Sequence, residues 1–112
     1  MENTNKSLKT YQGDIKITKE NSKEWEKKLE YTEIINGSVY VRENATFTAP
    51  KLTNVSGSVY VRENATFTAP KLTKSSYVDV RENATFTAPK LTKSSSVYVR
   101  ENATFTAPKL TN

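Results

Sequence analysis

The feature that most constrains this chain is the segment VRENATFTAPKLT, which occurs four times without a change. The copies occupy residues 41–53, 61–73, 80–92 and 99–111, so they recur at an almost constant spacing. A fixed period of about 20 residues is typical of a solenoid, in which each repeat forms one coil that stacks on the next. Helical solenoids need more than about 30 residues per repeat, so this period favours a β-solenoid.

The pattern inside each copy predicts two short strands and two corners per coil. In the second copy, Val59 and Val61 alternate with polar residues, and Phe67 lies between two threonines, which is strand periodicity. Pro70 cannot donate to a sheet ladder and therefore marks a corner. We expect an all-β, right-handed parallel β-solenoid of about five coils, each of roughly 19–24 residues.

Stacking explains how a chain with few apolar residues can fold. Only 23 of the 112 residues are Leu, Ile, Val or Phe, which is close to the composition of disordered chains. In register, each apolar side chain packs on its own kind in the next coil, about 4.8 Å away, so the coils share one core. The asparagine of each copy is expected to form a ladder at one corner; these residues are Asn44, Asn64, Asn83 and Asn102.

The two ends of the chain differ from the repeats and from each other. Residues 13–17 align with residues 37–41 at a spacing longer than the repeat period, so we interpret residues 1–36 as an N-terminal cap that holds a degenerate first coil and a short helix. Residues 37–112 then form four near-identical coils. The helix is predicted near residues 21–30, where Asn21 and Glu24 fit a capping box and Trp25 would cover the open end of the first coil.

The last coil shows no such cap. Its uncovered strand edges invite pairing with a second copy or with a partner, or else the coil is frayed. The residues of this predicted oligomer edge are Val97, Val99, Phe105 and Leu110.

The repeat resembles a leucine-rich repeat of the L-domain-like or BspA-like kind. Six residues match the order of that pattern: Leu52, Val55, Val59, Val61, Asn64 and Phe67. The resemblance covers roughly residues 37–112 and weakens where Val55 is replaced by Ser75 and Ser94. It implies a flattened β-helix, and it implies protein binding, because members of that broad family bind proteins.

The composition argues against catalysis. The chain has no His and no Cys, which excludes disulfides, thiolate nucleophiles and the usual zinc sites. The glutamate that occurs once per copy forms a repeated ladder, whereas acid–base catalysis needs carboxylates in two different environments. We therefore expect no enzymatic activity, no cofactor and no metal.

The net charge of +5 lies entirely on the repeats, since residues 1–36 are neutral overall. On the outward side of the first strand, aromatic residues alternate with arginines. The predicted binding residues on this strand face are Tyr40, Arg42, Tyr60, Arg62, Arg81, Tyr98 and Arg100. Such a face suits a protein partner or a nucleic acid, or it is a solvated face on which each arginine pairs with a glutamate.

A second surface carries a Thr-x-Thr pair in every copy. If both threonines face outward, they form two files of hydroxyl and methyl groups on a flat sheet. This arrangement resembles some insect antifreeze β-solenoids, which implies ice binding as an alternative function. Threonine is also simply a favourable strand residue on a solvent face.

The most direct functional interpretation is a non-enzymatic scaffold that binds a macromolecule, with a protein as the expected partner and nucleic acid as a possible one. A narrower alternative is a phage-encoded inhibitor of a host defence complex, comparable to an anti-CRISPR protein, or a competitor of nucleic acid. Residues 1–12 are polar and no run is long enough to span a membrane, so a cytoplasmic location without membrane contact is expected. A homodimer through the uncapped last coil is possible.

Overall fold

The computed structural model describes residues 9–110 of the chain. Within that range the chain forms eleven strands and one helix, each of which follows from the repeat or from the segment before it. In chain order they are β1 (Thr10–Gln12), β2 (Ile15–Ile17), α1 (Ser22–Lys28), β3 (Ile34–Asn36), β4 (Val39–Val41), β5 (Thr46–Thr48), β6 (Asn54–Val61), β7 (Thr66–Thr68), β8 (Lys74–Val80), β9 (Thr85–Thr87), β10 (Lys93–Val99) and β11 (Thr104–Thr106).

The strands form two sheets in which every pairing is parallel, which confirms the predicted parallel β-solenoid. Sheet A contains β1, β2, β3, β4, β6, β8 and β10, and sheet B contains β5, β7, β9 and β11. In the first two coils the sheet A segment is split into two short strands, whereas from β6 onward it is continuous. About four turns have strands in both sheets, and the first coil has α1 where the sheet B strand would be.

The register follows the repeat spacing. Ile15 pairs with Val39, as the alignment of residues 13–17 with 37–41 predicts. Val39 pairs with Val59, and Val59 pairs with Val78. The coil between Val59 and Val78 is therefore one residue shorter than the coil between Val39 and Val59. A β-bulge between Val55 and Ser58 absorbs the difference.

Gly57 lies at this bulge for a steric reason. A β-carbon there would come within 2.7 Å of the Gly37 carbonyl oxygen, to which the Gly57 N–H donates a hydrogen bond of 3.0 Å. The shorter coils have a single serine, Ser76 or Ser95, in place of the Ser56-Gly57 pair. The close approach of the two backbones is therefore confined to the longer coils.

The core consists of columns of identical side chains. Phe47, Phe67 and Phe86 are fully buried, and their rings stack with centroid distances of 5.8 and 5.5 Å. The column continues to Phe105, whose ring lies 5.1 Å from that of Phe86. The inward valines and leucines of the same coils are also fully buried, and these are Val59, Val61, Val78, Val80, Leu72 and Leu91. Because each side chain is covered mainly by its counterpart, burial depends on neighbouring coils.

The corner after each sheet A strand is a tight turn with an asparagine in the left-handed region. In the first copy Asn44 has a φ of 66°, and the Ala45 N–H donates to the Arg42 carbonyl oxygen at 3.0 Å. Asparagine tolerates this conformation better than most residues. The predicted asparagine ladder is not formed by the side chains, which are exposed. The coils are connected here by the backbone, because the Asn44 N–H donates to the Glu63 carbonyl oxygen at 3.2 Å.

The second corner follows sheet B and uses proline. The Leu72 N–H donates to the Ala69 carbonyl oxygen at 3.2 Å, with Pro70 just after Ala69, where the fixed φ of proline suits a turn. A threonine ladder follows this corner. The hydroxyl of Thr73 donates to the backbone carbonyl oxygen of Thr53 at 3.0 Å, and the hydroxyl of Thr53 donates to the backbone carbonyl oxygen of Glu33 at 3.0 Å.

The helix α1 covers the first sheet B strand. The Glu26 carboxylate oxygen Oε2 accepts a hydrogen bond of 2.9 Å from the Thr48 N–H on the edge of β5. Trp25 packs edge-on against Tyr11, with ring centroids 5.6 Å apart. The predicted capping box is wrong: the Asn21 side chain makes no cap hydrogen bond to the helix, and its Oδ1 instead accepts from the Thr18 N–H at 2.7 Å. The split of the chain into an N-terminal cap and four coils as separate units stays a prediction.

Candidate binding surfaces

Two parallel columns of side chains run along the outer face of the second half of sheet A. The tyrosine column consists of Tyr40, Tyr60, Tyr77 and Tyr98, and the arginine column consists of Arg42, Arg62, Arg81 and Arg100. The structure therefore places all seven predicted residues of the strand face on one surface. Tyr77 is an eighth residue of this surface that the sequence analysis missed.

The tyrosine rings form a continuous series of contacts along the column. Tyr40 and Tyr60 are nearly parallel, with centroids 4.9 Å apart and an angle of 12° between the rings. Tyr77 meets Tyr60 edge-on at 5.8 Å and meets Tyr98 edge-on at 5.4 Å. The facing sides of Tyr40 and Tyr60 cover each other, so those two ring faces are not accessible to a nucleic acid base. At the other end of the column Tyr98 is 54% exposed.

Tyr77 completes the column at the one coil in which the repeat changes. The strand register places Asp79 opposite Tyr60 on one side and opposite Tyr98 on the other. Tyr77 lies two residues before Asp79, so both side chains leave the same face of β8. The Tyr77 ring reaches the gap that Asp79 leaves in the column. The alternation of inward and outward residues could not predict this, because Tyr77 and Asp79 lie on the same face of the strand. Tyr77 fills the gap because its side chain is longer.

Asp79 is held beneath this surface by two arginines from adjacent coils. Its carboxylate side chain is only 5% exposed and lies 3.4 Å from Nε of Arg81 and 3.7 Å from Nε of Arg100. A buried carboxylate is stable only if it is paired, and here the arginine column supplies two ion-pair partners, although neither Asp79 Oδ1 nor Arg81 Nε makes a hydrogen bond. One acid thus offsets part of the charge of two arginines.

The other two arginines are not neutralised in this way. Arg42 lies 3.9 Å from Glu43, but both side chains are about half exposed, so this pair contributes little. Among residues 9–110 no carboxylate lies within ion-pair distance of Arg62. The Nε atoms of Arg62 and Arg81 are both buried without a hydrogen bond, so the two arginines differ only in the ion pair that Arg81 makes with Asp79. The idea that each arginine pairs with the glutamate of its own or the next coil does not describe this column.

The environment of Tyr77 also affects its ionisation. Partial burial raises the pKa of the Tyr77 phenol above its ordinary value, and the negative charge of Asp79 raises that pKa further. The phenol therefore stays protonated at neutral pH and keeps its hydrogen-bond donor. Together the two columns present phenol hydroxyls beside guanidinium groups, which is a surface rich in donors.

A shallow groove of about 640 Å³ runs along the first half of sheet A in the last three coils. Its residues include Lys74 and Lys93, which face each other directly in the ladder, and the exposed serines Ser76 and Ser95. The groove adds positive charge at the beginning of these strands, whereas the arginine column lies just after their last residues. The other lysine column lies at the second corner and is exposed, and its residues are Lys51, Lys71, Lys90 and Lys109.

The outer face of sheet B carries the threonine face, which consists of Thr46, Thr48, Thr66, Thr68, Thr85, Thr87, Thr104 and Thr106. In each strand the middle phenylalanine points inward and both threonines point outward. Each threonine pairs in register with its counterpart in the next coil, without a bulge. The two files therefore form a regular array with spacings of about 4.8 Å between strands and about 6.7 Å along them.

The four residues of the predicted oligomer edge are less buried than their counterparts one coil earlier. Val99 is 45% exposed, whereas Val80 is fully buried. Val97, Phe105 and Leu110 are partly buried and pack against the core. A homodimer at this end stays a prediction.

Within residues 9–110 no group of three or more potential metal-binding side chains comes together. In the same range, no helix has the length and apolar character needed to cross a membrane. Comparison with protein-family models, curated proteins and solved structures gave no match.

Proposed function

We propose that this protein is a non-enzymatic binding scaffold whose tyrosine and arginine columns contact a partner protein with an acidic surface. The observation that carries the proposal is the continuity of the tyrosine column, which Tyr77 maintains where the repeat changes to Asp79. Tyrosine and arginine are enriched at the centres of protein interfaces. A donor-rich, cationic surface complements carboxylates, which accept hydrogen bonds and carry negative charge.

The ring stacking favours a protein partner over a single-stranded nucleic acid. Proteins that bind single strands without sequence preference use exposed aromatic faces on which bases stack. In this column the faces of Tyr40 and Tyr60 are directed at each other. Nucleic acid therefore remains the weaker alternative.

The test is quantitative capture of partners from the native host by the immobilised protein. The double variant Tyr60→Ala/Arg62→Ala should lose the partner, because it interrupts both columns on the surface without touching the core. The matched control is Thr66→Ala/Thr68→Ala, which makes the same number of truncations on the opposite sheet and should retain the partner. The affinity of the purified partner is then measured for all three proteins. If the Tyr60→Ala/Arg62→Ala protein binds as tightly as the wild type, the proposal is wrong.

A likeness to leucine-rich repeats of the L-domain-like or BspA-like kind stays a proposal: burial of Leu52 and Val55 agrees with the apolar positions of that pattern, as of any β-solenoid, whereas the exposed Asn64 does not match its asparagine ladder. Protein binding agrees with that likeness. A phage-encoded inhibitor of a host defence complex, acting in the cytoplasm, stays a prediction that the identity of the captured partner would test.

A second candidate function is ice binding by the threonine face. The specific observation is that both threonines of every pair point outward in an unshifted register over four strands. If this face binds ice, the wild-type protein should show thermal hysteresis and faceted ice crystals. The variant Thr66→Lys/Thr85→Lys should abolish the hysteresis, while Tyr60→Ala/Arg62→Ala should keep it. Absence of hysteresis at millimolar protein concentration would exclude this function.

A further inference from the structure

One carboxylate of the chain itself lies within the arginine column. The Asp79 carboxylate contacts Nε of Arg81 and Nε of Arg100, which belong to adjacent coils. This geometry shows that neighbouring arginines of the column lie close enough together for one carboxylate to contact both. Asp79 reaches this position from within the chain because it stands where the other coils have tyrosine.

The same pair of neighbouring arginines exists at Arg42 and Arg62 without an internal carboxylate. Tyr40 and Tyr60 occupy the positions that correspond to Asp79. The backbone is equivalent, since the Arg62 N–H bonds the carbonyl oxygen of Val41 just as the Arg100 N–H bonds that of Val80, both at 2.9 Å. The only ion pair that the described residues form here is the exposed contact with Glu43, so two guanidinium groups have little neutralisation.

We propose that Arg42 and Arg62 form a binding site for a carboxylate of the protein partner, and that Asp79 fills the equivalent site between Arg81 and Arg100 from within the chain. The inference rests on the proposed function and names the chemistry of the partner at that surface. It gives the repeat one preferred register, because Arg42–Arg62 is the one pair of neighbouring arginines in the column without an arginine that contacts Asp79. Three identical open pairs would let an acidic partner bind in several positions shifted by one coil.

The test uses the arginine Nε–Hε signals of the ¹⁵N-labelled full chain, assigned with single Arg→Lys variants. An octaglutamate peptide is titrated in, and an octaglutamine peptide gives the uncharged baseline. The signals of Arg42 and Arg62 should shift with octaglutamate, and those of Arg81 and Arg100 should stay in place. Equal shifts of all four signals would show general charge attraction and would overturn the proposal, as would the absence of any shift.

The variant Asp79→Asn provides the sharper comparison, because it removes the internal carboxylate and keeps the shape of the side chain. Its Arg81 and Arg100 signals should become responsive to octaglutamate, and the affinity for the peptide should rise about threefold. Arg62→Ala should lower the affinity by a similar factor, while Arg100→Ala should leave it unchanged. Unresponsive Arg81 and Arg100 signals in a folded Asp79→Asn protein would overturn the inference.

Two further outcomes separate this inference from the proposed function. If octathymidylate binds the same arginines more tightly than octaglutamate, the ligand is a nucleic acid phosphate and the carboxylate assignment is wrong. If the arginine signals stay unresponsive while Tyr60→Ala/Arg62→Ala still loses the captured partner, the proposed function stands and the carboxylate site does not. If the double variant keeps the partner, the proposed function fails whatever the titration shows.

Discussion

Asn64 and its three counterparts show how one backbone angle shapes each coil. Their φ values lie between 61° and 66°, and the turn that they form directs the chain from sheet A to sheet B. A side chain with a β-carbon is unfavourable in this region unless, as in asparagine, a short polar group compensates. Asparagine here matters for the conformation of the corner, while its exposed side chain leaves the connection between coils to the backbone.

We expect Asn64→Ala to lower the free energy of unfolding by about 1 kcal/mol, because alanine pays the left-handed penalty without that compensation. Asn64→Gly should be nearly neutral, since glycine adopts positive φ freely. Urea denaturation of both variants checks this. An equal loss in the two variants would show that the asparagine side chain, and not the angle, stabilises the turn.

The ionisation of Tyr77 should make the stability of the fold depend on pH. Partial burial and the Asp79 charge raise its pKa in the folded state above the value of about 10 that a phenol has in the unfolded chain. The folded state therefore holds the phenol proton more tightly, so this contribution to stability is present below pH 10 and is lost as the pH rises through the folded-state pKa.

The stability of the wild type should thus fall more steeply above pH 10 than that of Tyr77→Phe, which has no proton to lose. Asp79→Asn removes the largest of the charge effects that raise this pKa and should give an intermediate slope. Urea midpoints measured from pH 8 to pH 11 check this. Parallel curves for wild type and Tyr77→Phe would contradict the role given to Tyr77.

At the residue scale the sequence predicts the inward positions well and the surface less well. Val59, Val61 and Phe67 are buried as their alternation predicts, because parity fixes which face a strand residue takes. The replacement of Asp79 by Tyr77 in the tyrosine column could not be predicted. Both residues lie on the same face of the strand, and only the length of the side chain decides which one reaches the column. The capping box failed for a different reason, because the Thr18 backbone offers the Asn21 side chain a competing donor.

At the scale of elements, α1 does for sheet B what another strand would do. The edge of β5 has no preceding strand in sheet B, and edge strands present unpaired backbone groups. Glu26 satisfies one of these groups by accepting from the Thr48 N–H. The sequence predicts a helix near Trp25, but it does not reveal this contact, because nothing in the spacing of Glu26 and Thr48 marks them as partners.

Replacing Glu26 by alanine should lower the free energy of unfolding by about 1.5–3 kcal/mol, which is the range for hydrogen bonds to charged groups. It should also speed amide hydrogen exchange at Thr48. Glu24→Ala, on an exposed position of the same helix, should change the stability by less than about 0.5 kcal/mol. If the Thr48 amide exchanges at the wild-type rate in Glu26→Ala, the helix is not the acceptor that protects this edge.

At the scale of the whole molecule, the coils interact almost only with their neighbours. Strand pairings connect each coil to the coil before and after it, and the phenylalanine stack, the threonine ladder and the corner hydrogen bonds repeat the same connection. Stability in such an array is approximately a sum of coil terms and nearest-neighbour interfaces. Removing one whole repeat should therefore change the number of coils and leave the fold of the remaining coils intact.

Deletion of residues 62–80 removes one full repeat period and joins Val61 directly to Arg81. The shortened chain keeps the order of turns, strands and inward positions, so it should fold with one coil fewer and retain the far-UV spectrum of a β protein. Its urea m-value should fall by roughly a fifth, because the m-value scales with the surface exposed on unfolding. Deletion of residues 62–71 removes about half a coil and places two sheet A segments in succession without a corner, so that chain should not fold cooperatively. If both deletions fold equally well, the repeat period does not define the structural unit; if neither folds, the coils are not the independent nearest-neighbour modules that the stacked columns indicate.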